Sequence, residues 1–317
     1  MGIPRRAWDQ VEEFLTNSPL EGRDPEDLDL VGGIVGGERP SGYSRSPVLW
    51  NRFFQELGLR GYFGALDLPQ DRPFGAFAEA FLAVPGCLDL TVTSPYKAVA
   101  CESLGTLSIE TTVSERVRLL GCLNHIVVDP SSGRASVDIT DGQGMARALK
   151  KRRSLHGARV LLAGAGGAAA AIGYELAREG AVFVIANIVE RDARTLASRL
   201  EPHVAPPGRV SACGWEAVGS HARESEVIVS AITSSTPLDA EGVASLPAGC
   251  LLADTRYGDR AELVEAAARA GRRCVDGREM LCGQFAAAAE TAGSYLGFGE
   301  DDVRAAVDSV ETWFLSR

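Results

Sequence analysis

Short apolar runs alternate with longer amphipathic ones along most of this chain. Leu30–Val35, Tyr62–Leu66, Leu88–Thr93, Leu123–Val128 and Ser136–Thr140 read as strands, as do Val160–Ala163, Ala181–Ala186, Val227–Ala231, Leu251–Asp254 and Arg273–Val275. They are too short for buried helices and are bounded by Gly, Pro or charged residues. Helical patterning falls between them: through Trp50, Asn51 and Phe54, over Phe74–Ala83, from about Pro95, and at Met145–Lys150, Ala168–Leu176, Ala193–Leu200 and Arg260–Ala270. Two helices close the chain, Met280–Tyr295 and Asp301–Leu315; Asp301 suits the cap of the second. Residues 1–28 are polar, with one helical stretch from Arg5 to Leu15, and read as an appended segment. The alternation predicts an α/β protein whose parallel strands are covered by helices on both faces.

The pattern is sharpest at Arg159-Val-Leu-Leu-Ala-Gly164-Ala165-Gly166-Gly167-Ala168. A buried strand turns through glycines directly into an alanine-rich helix, and a second strand follows at the distance a βαβ unit requires. Glycines there permit a tight turn, and the helix N-terminus offers N–H groups to a pyrophosphate. The spacing is G-x-G-G rather than G-x-G-x-x-G, so context carries this reading more than the glycines do. The charged linker 150–157, just before this unit, is the expected domain boundary.

A net charge of −10, from 32 basic and 42 acidic side chains, argues against a nucleic-acid surface. No apolar run reaches the length needed to span a bilayer, and no signal-peptide core opens the chain. Seven cysteines without a C-x-x-C pair fit reduced thiols in a cytoplasm, and four scattered histidines give no metal site. Three polar positions stand out. Ser46, ahead of Pro47, suits a helix N-cap, though capping is not the only use for it. Lys97 falls in a first helical turn, where the helix dipole disfavours a cation, which marks it for a function or for snorkelling to solvent. Asp141, ahead of Met145–Lys150, is either a capping carboxylate or part of the chemistry.

Together these stretches resemble the shikimate/quinate dehydrogenase family from Val31 onward. Ser44-Arg-Ser46-Pro47 with Asn51 resembles S-x-S-P…N, and Thr91-Val-Thr93-Ser-Pro95-Tyr-Lys97 resembles N-V-T-x-P-x-K. Gly121-Cys-Leu-Asn124 is similar to G-A-x-N, Ile139-Thr-Asp141-Gly to N-T-D-G, and Gly164–Ala169 to the cofactor loop. Asp254-Thr-Arg-Tyr257 is similar to D-x-x-Y, and Gly277–Gln284 to G-x-x-M-L-x-x-Q. The resemblance implies an N-terminal α/β substrate domain (29–150) and a Rossmann-type doubly wound NAD(P) domain (151–279), with the C-terminal helices 280–317 returning to the first. It implies a catalytic pair, Lys97 and Asp141, since oxidising a secondary alcohol needs a group to take or hold the hydroxyl proton. It assigns Ser44, Ser46, Thr93, Asn124, Tyr257 and Gln284 to the substrate. To the cofactor it assigns Gly164, Ala165, Gly166, Gly167, Ala168, Asn187, Ile188, Ala231 and Met280. The implied molecule is a cytoplasmic monomer or homodimer of aromatic or secondary metabolism.

Three departures stand against that pattern. Where the family reads NADP with N-R-T, this chain has Asn187-Ile188-Val189, which points to NAD in preference to NADP, with Arg191 or Arg194 as the substitutes that would reverse it. Thr91 and Ile139 replace asparagines; in extended chain they face the same way as Thr93 and Asp141. Either the pocket differs or the backbone is braced differently. Ser230-Ala231-Ile-Thr233-Ser-Ser-Thr236-Pro237 replaces N-A-T-x-x-G-M. The alternatives are a pathway-specific paralogue acting on another hydroxy acid or an amino-cyclitol acid, or a non-catalytic nucleotide- or metabolite-binding sensor; retention of both Lys97 and Asp141 argues against the sensor.

Overall fold

The computed structural model describes residues 2–37, 39–232, 236–258 and 261–317. The chain divides into two compact units, Met1–Thr140 with Phe285–Arg317, and Asp141–Gln284.

The first unit contains, in order, α1 (Arg5–Glu12), β1 (Leu30–Gly36), α2 (Ser46–Glu56), β2 (Gly61–Asp67), α3 (Phe74–Leu82), β3 (Cys87–Val92), α4 (Lys97–Ser103), β4 (Thr111–Val113), α5 (Glu115–Leu120), β5 (His125–Val128) and β6 (Ala135–Asp138). Its sheet runs β2-β1-β3-β5-β6-β4. β1, β2 and β3 are parallel, while β5 runs antiparallel to both β3 and β6. The carboxyl ends of β1 and β3 therefore lie at the same end of the sheet as the start of β5 and the finish of β6.

The second unit begins with α6 (Asp141–Lys150), then β7 (Arg159–Ala163), α7 (Gly167–Arg178), β8 (Val182–Asn187), α8 (Glu190–Leu200), β9 (Arg209–Gly214), α9 (Val218–Glu224), β10 (Val227–Ser230), α10 (Ala240–Ala244), β11 (Leu251–Asp254), α11 (Glu262–Arg269) and β12 (Cys274–Val275). The order β12-β11-β10-β7-β8-β9 is parallel throughout. This is the doubly wound dinucleotide-binding arrangement, with its reversal of strand order between β7 and β10. α12 (Gly277–Tyr295) and α13 (Glu300–Leu315) complete the chain.

The break between units falls ahead of α6, not at the charged linker 150–157. The reason is close packing: a Cβ on Gly142 would sit 2.1 Å from the Ala171 carbonyl oxygen of α7, and Lys150 pairs with Glu179 at 2.6 Å. The helix therefore belongs to the second unit. Likewise the residues up to Gln284 of α12 belong to the second unit and those from Phe285 onward to the first. Phe285 meets Trp50 and Phe53 at 5.4 and 5.6 Å between ring centres, and Trp50 stacks on Phe63 at 5.3 Å.

Residues 2–28 are not an appendage. Trp8 and Val11 are buried, Trp8 meets Phe81 edge-on at 6.2 Å, and Phe14 meets Phe77 at the same separation. Composition hid this, because a few large apolar side chains anchor an otherwise polar stretch. Two caps also differ from expectation. Ser46 is the first helical residue of α2, behind Arg45, and Gly299 rather than Asp301 precedes α13. Asp301 instead pairs with Arg304 at 3.1 Å. Arg260, the expected start of α11, lies outside the described residues.

β2 is an edge strand, and two asparagine carboxamides cover its open side. Asn51 donates to the Phe63 carbonyl at 2.9 Å and accepts the Phe63 N–H at 2.8 Å. Asn17 donates to the Ala65 carbonyl at 2.8 Å and accepts the Asp67 N–H at 3.0 Å. Each amide replaces one rung of a missing strand, which blocks edge-to-edge association. If the N-terminal segment is part of this core, Trp8→Ala should lower unfolding free energy by about 3–5 kcal/mol. Chemical denaturation measures this; a loss below about 1 kcal/mol, the range of surface positions, would return residues 1–28 to the status of an appendage.

Candidate active site

In the first unit the candidate substrate residues collect at one end of the sheet. The segment after β1 carries Ser44 and Ser46, and it lies directly on the segment after β3. Gly37 N–H donates to the Ser94 carbonyl at 3.2 Å, and Thr93 N–H to the Val35 carbonyl at 2.9 Å. A Cβ on Gly36 would lie 2.5 Å from Thr93 Cγ2, and one on Gly37 would lie 2.6 Å from Pro95 Cδ. Only glycine lets these two loops meet. Ser46 N–H donates to Ser44 Oγ at 3.3 Å, so the two serines are held by one turn, with Ser46 buried and Ser44 half-buried.

Asn124 joins them because β5 runs against β3: its carbonyl accepts the Val92 N–H at 2.7 Å. Its side chain is held by Thr140, accepting the Thr140 N–H at 2.8 Å and donating one amide N–H to Thr140 Oγ1 at 3.1 Å. Lys97 opens α4, half-buried, with no acidic side chain in that first turn. Its carbonyl accepts the Leu123 N–H at 3.0 Å, which ties α4 to the start of the Asn124 segment.

Ile139 does not stand in the extended chain that would align it with Asp141. Ile139 is buried, β6 has already ended at Asp138, and Asp141 opens a helix, so no alternation links positions 139 and 141. Thr91 belongs to a buried trio that sequence reading missed. Its hydroxyl donates to Asp89 Oδ1 at 2.5 Å, and His125 Nδ1 lies 2.8 Å from Asp89 Oδ2 and 3.2 Å from Thr91 Oγ1. A carboxylate only accepts, so the proton between the ring and Asp89 sits on Nδ1. The detectable signal was Asp89 and Thr91 on one face of a strand otherwise apolar.

In the second unit, Asp141 and Gln284 come together although far apart in sequence. The Gln284 amide donates to Asp141 Oδ1 at 3.2 Å. α6 and α12 approach through paired glycines: a Cβ on Gly283 would meet the Gly144 carbonyl oxygen at 2.6 Å, and one on Gly144 the Met280 carbonyl oxygen at 2.4 Å. Met280 itself is buried there. Asp254, buried at the end of β11, holds Arg256 through two bonds of 3.1 Å and accepts the Arg256 N–H at 2.9 Å, shaping the turn that leads to the half-buried Tyr257.

The glycine turn sits at the reversal between β7 and β10. Gly164 has φ +116°, and a Cβ there would lie 2.6 Å from the Ala231 carbonyl oxygen, so the fold itself demands glycine. Gly166 and Gly167 are different: among the described residues, a Cβ on either meets nothing within 4 Å. Their smallness answers no need of the protein's own packing. α7 begins here with no side-chain cap and no acid in its first turn, and Ala165 and Ala168 beside it are small and half-buried. Such an N-terminus can hold a pyrophosphate by backbone N–H groups and dipole, so these residues fit a dinucleotide. At the end of β8, Asn187 donates to the Val189 carbonyl at 3.2 Å, and Ile188 is 68% exposed. Thr233, within the segment that replaces N-A-T-x-x-G-M, lies outside the described residues.

Residues 37–125 match the shikimate dehydrogenase substrate binding domain. A shikimate dehydrogenase (NADP(+)) of Methanopyrus kandleri is 32% identical over 269 residues, covering 82% of this chain and 89% of that protein. The chain belongs to the shikimate/quinate dehydrogenase family. The corresponding enzyme of an Anaeromyxobacter strain is 34% identical over 260 residues, 80% of this chain and 87% of its own. Among solved structures, a quinate dehydrogenase from Corynebacterium glutamicum in complex with NAD has TM-score 0.71 at 23% identity, covering 91% and 99% of the two chains. An Ael1 enzyme from Pseudomonas putida has TM-score 0.69 at 26% identity, covering 89% and 98%. This family member is an NAD(P)-dependent oxidoreductase acting on a CH–OH group.

The two kinds of glycine separate by experiment. Gly164→Ala should destabilise the ligand-free protein by at least about 1–3 kcal/mol, from the strained φ and the clash with Ala231. Gly166→Ala should leave the ligand-free melting temperature unchanged yet weaken dinucleotide binding by about tenfold or more, because the pyrophosphate approaches the backbone there. Thermal melts and equilibrium titration with NAD and NADP measure both. Equal effects of the two variants on stability would remove the distinction.

Proposed function

We propose that this enzyme interconverts a secondary alcohol and a ketone on shikimate, quinate or a close cyclitol carboxylate, and that it uses NAD in preference to NADP. The observation that carries the substrate reading is the seating of the Ser44/Ser46 turn on the Thr93–Pro95 segment at the shared end of β1 and β3. Two hydroxyls on one turn suit the two oxygens of a carboxylate. Thr93, Asn124, Tyr257 and Gln284 then serve the remaining hydroxyls and set the face of the ring that reacts. The nicotinamide ring, when bound, supplies the hydride acceptor or donor; Gly164–Ala168, Asn187, Ile188, Ala231 and Met280 are the residues that would hold the dinucleotide.

Lys97 is the group that takes or returns the hydroxyl proton at its Nζ as charge develops on the substrate oxygen. Asp141 is its carboxylate partner. The Gln284 amide, bonded to Asp141 Oδ1, fixes the orientation of that carboxylate. Lys97→Ala should lower kcat by about 10²–10⁴-fold, the range of general acid–base contributions, while NAD affinity stays the same. Steady-state assays with shikimate and quinate, beside fluorescence titration of the dinucleotide, give both numbers. Turnover at the wild-type rate would remove Lys97 from the chemistry.

The cofactor preference runs against the names of the curated relatives and rests on this chain's own residues. An apolar, exposed Ile188 offers a 2′-phosphate nothing. The two nearest arginines each have an acid beside them: Arg194 bonds Glu190 at 2.9 and 2.6 Å, and Arg191 lies 3.8 Å from Asp192. On neighbouring β9, burial first and then the Glu216 and Glu190 carboxylates push the Cys213 thiol above its ordinary pKa. We expect kcat/KM to favour NAD, and Ile188→Arg to move the NADP/NAD ratio toward NADP by about 10–100-fold, the worth of one charged hydrogen bond. A wild-type ratio favouring NADP overturns this preference without touching the substrate reading.

A further inference from the structure

We propose that Asp67, Ser41 and Asn17 form a clamp through which the N-terminal segment sets the position of the Ser44/Ser46 turn, and hence the enzyme's affinity for a carboxylate. This rests on the reading of those two serines as carboxylate ligands, and it adds positioning residues that no motif of the chain contains.

The clamp is continuous and lies within the first unit. At its base, Thr16 and Asn17 fasten onto the end of β2. Thr16 N–H and Oγ1 donate to the Asp67 carbonyl at 3.1 and 3.2 Å, and Asn17 bonds the Ala65 carbonyl and the Asp67 N–H. Asp67 is thereby held on both backbone groups. Its side chain, buried at 5% exposure, reaches across to the turn after β1: Oδ1 accepts the Ser41 N–H at 3.0 Å and Oδ2 accepts the Ser41 hydroxyl at 2.5 Å. Ser41 sits in the helical turn Pro40–Gly42, and the Ser44 N–H closes back onto the Pro40 carbonyl at 2.8 Å. Ser44 Oγ then accepts the Ser46 N–H. One chain of bonds joins Asn17 to the two serines.

Position, not contact with substrate, is what this device controls. The turn enters through Arg39 at φ +52°, an unfavourable conformation for a residue with a Cβ, so it needs an external hold. A charge-assisted pair of bonds from a buried carboxylate is a strong one. Ser41 is exposed on its outer side, and replacing it disturbs no core packing.

The test uses the full chain with Ser41→Ala, Ser41→Thr, Asp67→Ala and Asn17→Ala, read by amide hydrogen exchange over residues 40–46 and by steady-state kinetics. Loosening the clamp should speed exchange in that turn. It should raise KM for shikimate or quinate by about tenfold, the equivalent of one hydrogen bond to a charged group, with kcat and KM for NAD little changed; Ser41→Thr, which keeps the hydroxyl, should restore both. Asp67→Ala removes a buried group and tests folding as well, so Ser41→Ala decides. Unchanged exchange in Ser41→Ala overturns the clamp. Faster exchange with unchanged KM overturns its role in substrate affinity. A Ser44→Ala, Ser46→Ala double variant that keeps the wild-type KM overturns instead the carboxylate reading beneath the proposal.

Discussion

In both units the working end of the sheet exists because glycine lets two backbones approach more closely than a Cβ allows. Gly36 and Gly37 bring the serine turn onto Thr93 and Pro95. Gly164 brings the end of β7 against Ala231 at the end of β10. The Gly37 contact is with the rigid Pro95 ring and the Gly164 contact is with backbone, so neither of those partners can yield by a rotamer change; Gly36 faces the Thr93 methyl. Everything proposed for the chemistry follows from them. The serines reach the end of β3 only through the first pair, and the N-terminus of α7 is aimed over the strand reversal only through the second.

Sequence patterning exposed the elements whose signal is local. The strand–glycine–helix run at 159–178 and the long closing helices carry their period or their turn within a few residues. What it missed is tertiary or too short to show a period. β4, α5, α9 and α10 are brief, and β9, though six residues long, is half-exposed, so its apolar content is low. The N-terminal segment looks polar because its attachment uses a few aromatic side chains and asparagine amides, not an amphipathic stripe. Of the candidate site, the glycine turn and the serine turn were legible. The bonds that hold them were not, since Asn17, Ser41 and Asp67 fall in no motif and meet only through the register of β1 on β2.

The cofactor end shows why a single substituted letter is weak evidence until its surroundings are known. Isoleucine for arginine at position 188 would mean little if Arg191 or Arg194 were available in its place. In the folded chain Arg194 bonds Glu190 four positions away, and Arg191 lies beside Asp192, both on α8. The isoleucine at 188 and the pairing of its two neighbouring arginines are the observations on which the proposed NAD preference rests.

The departures at Thr91 and Ile139 lead the other way. A buried carboxylate is stable only if its oxygens are supplied with donors. Asp89 takes one from Thr91 and one from His125, which the pairing of β3 with β5 sets directly opposite Thr91. Threonine, histidine and aspartate thus form one unit, and Thr91→Ala would strip Asp89 of its shortest bond. Ile139 is buried at the close of β6, where Asp138 Oδ1 takes its N–H at 2.7 Å, and its side chain serves packing. Both substitutions have an account inside the first unit. They require no change of substrate, and the case for a relative of shikimate must rest on the pocket-lining hydroxyls themselves.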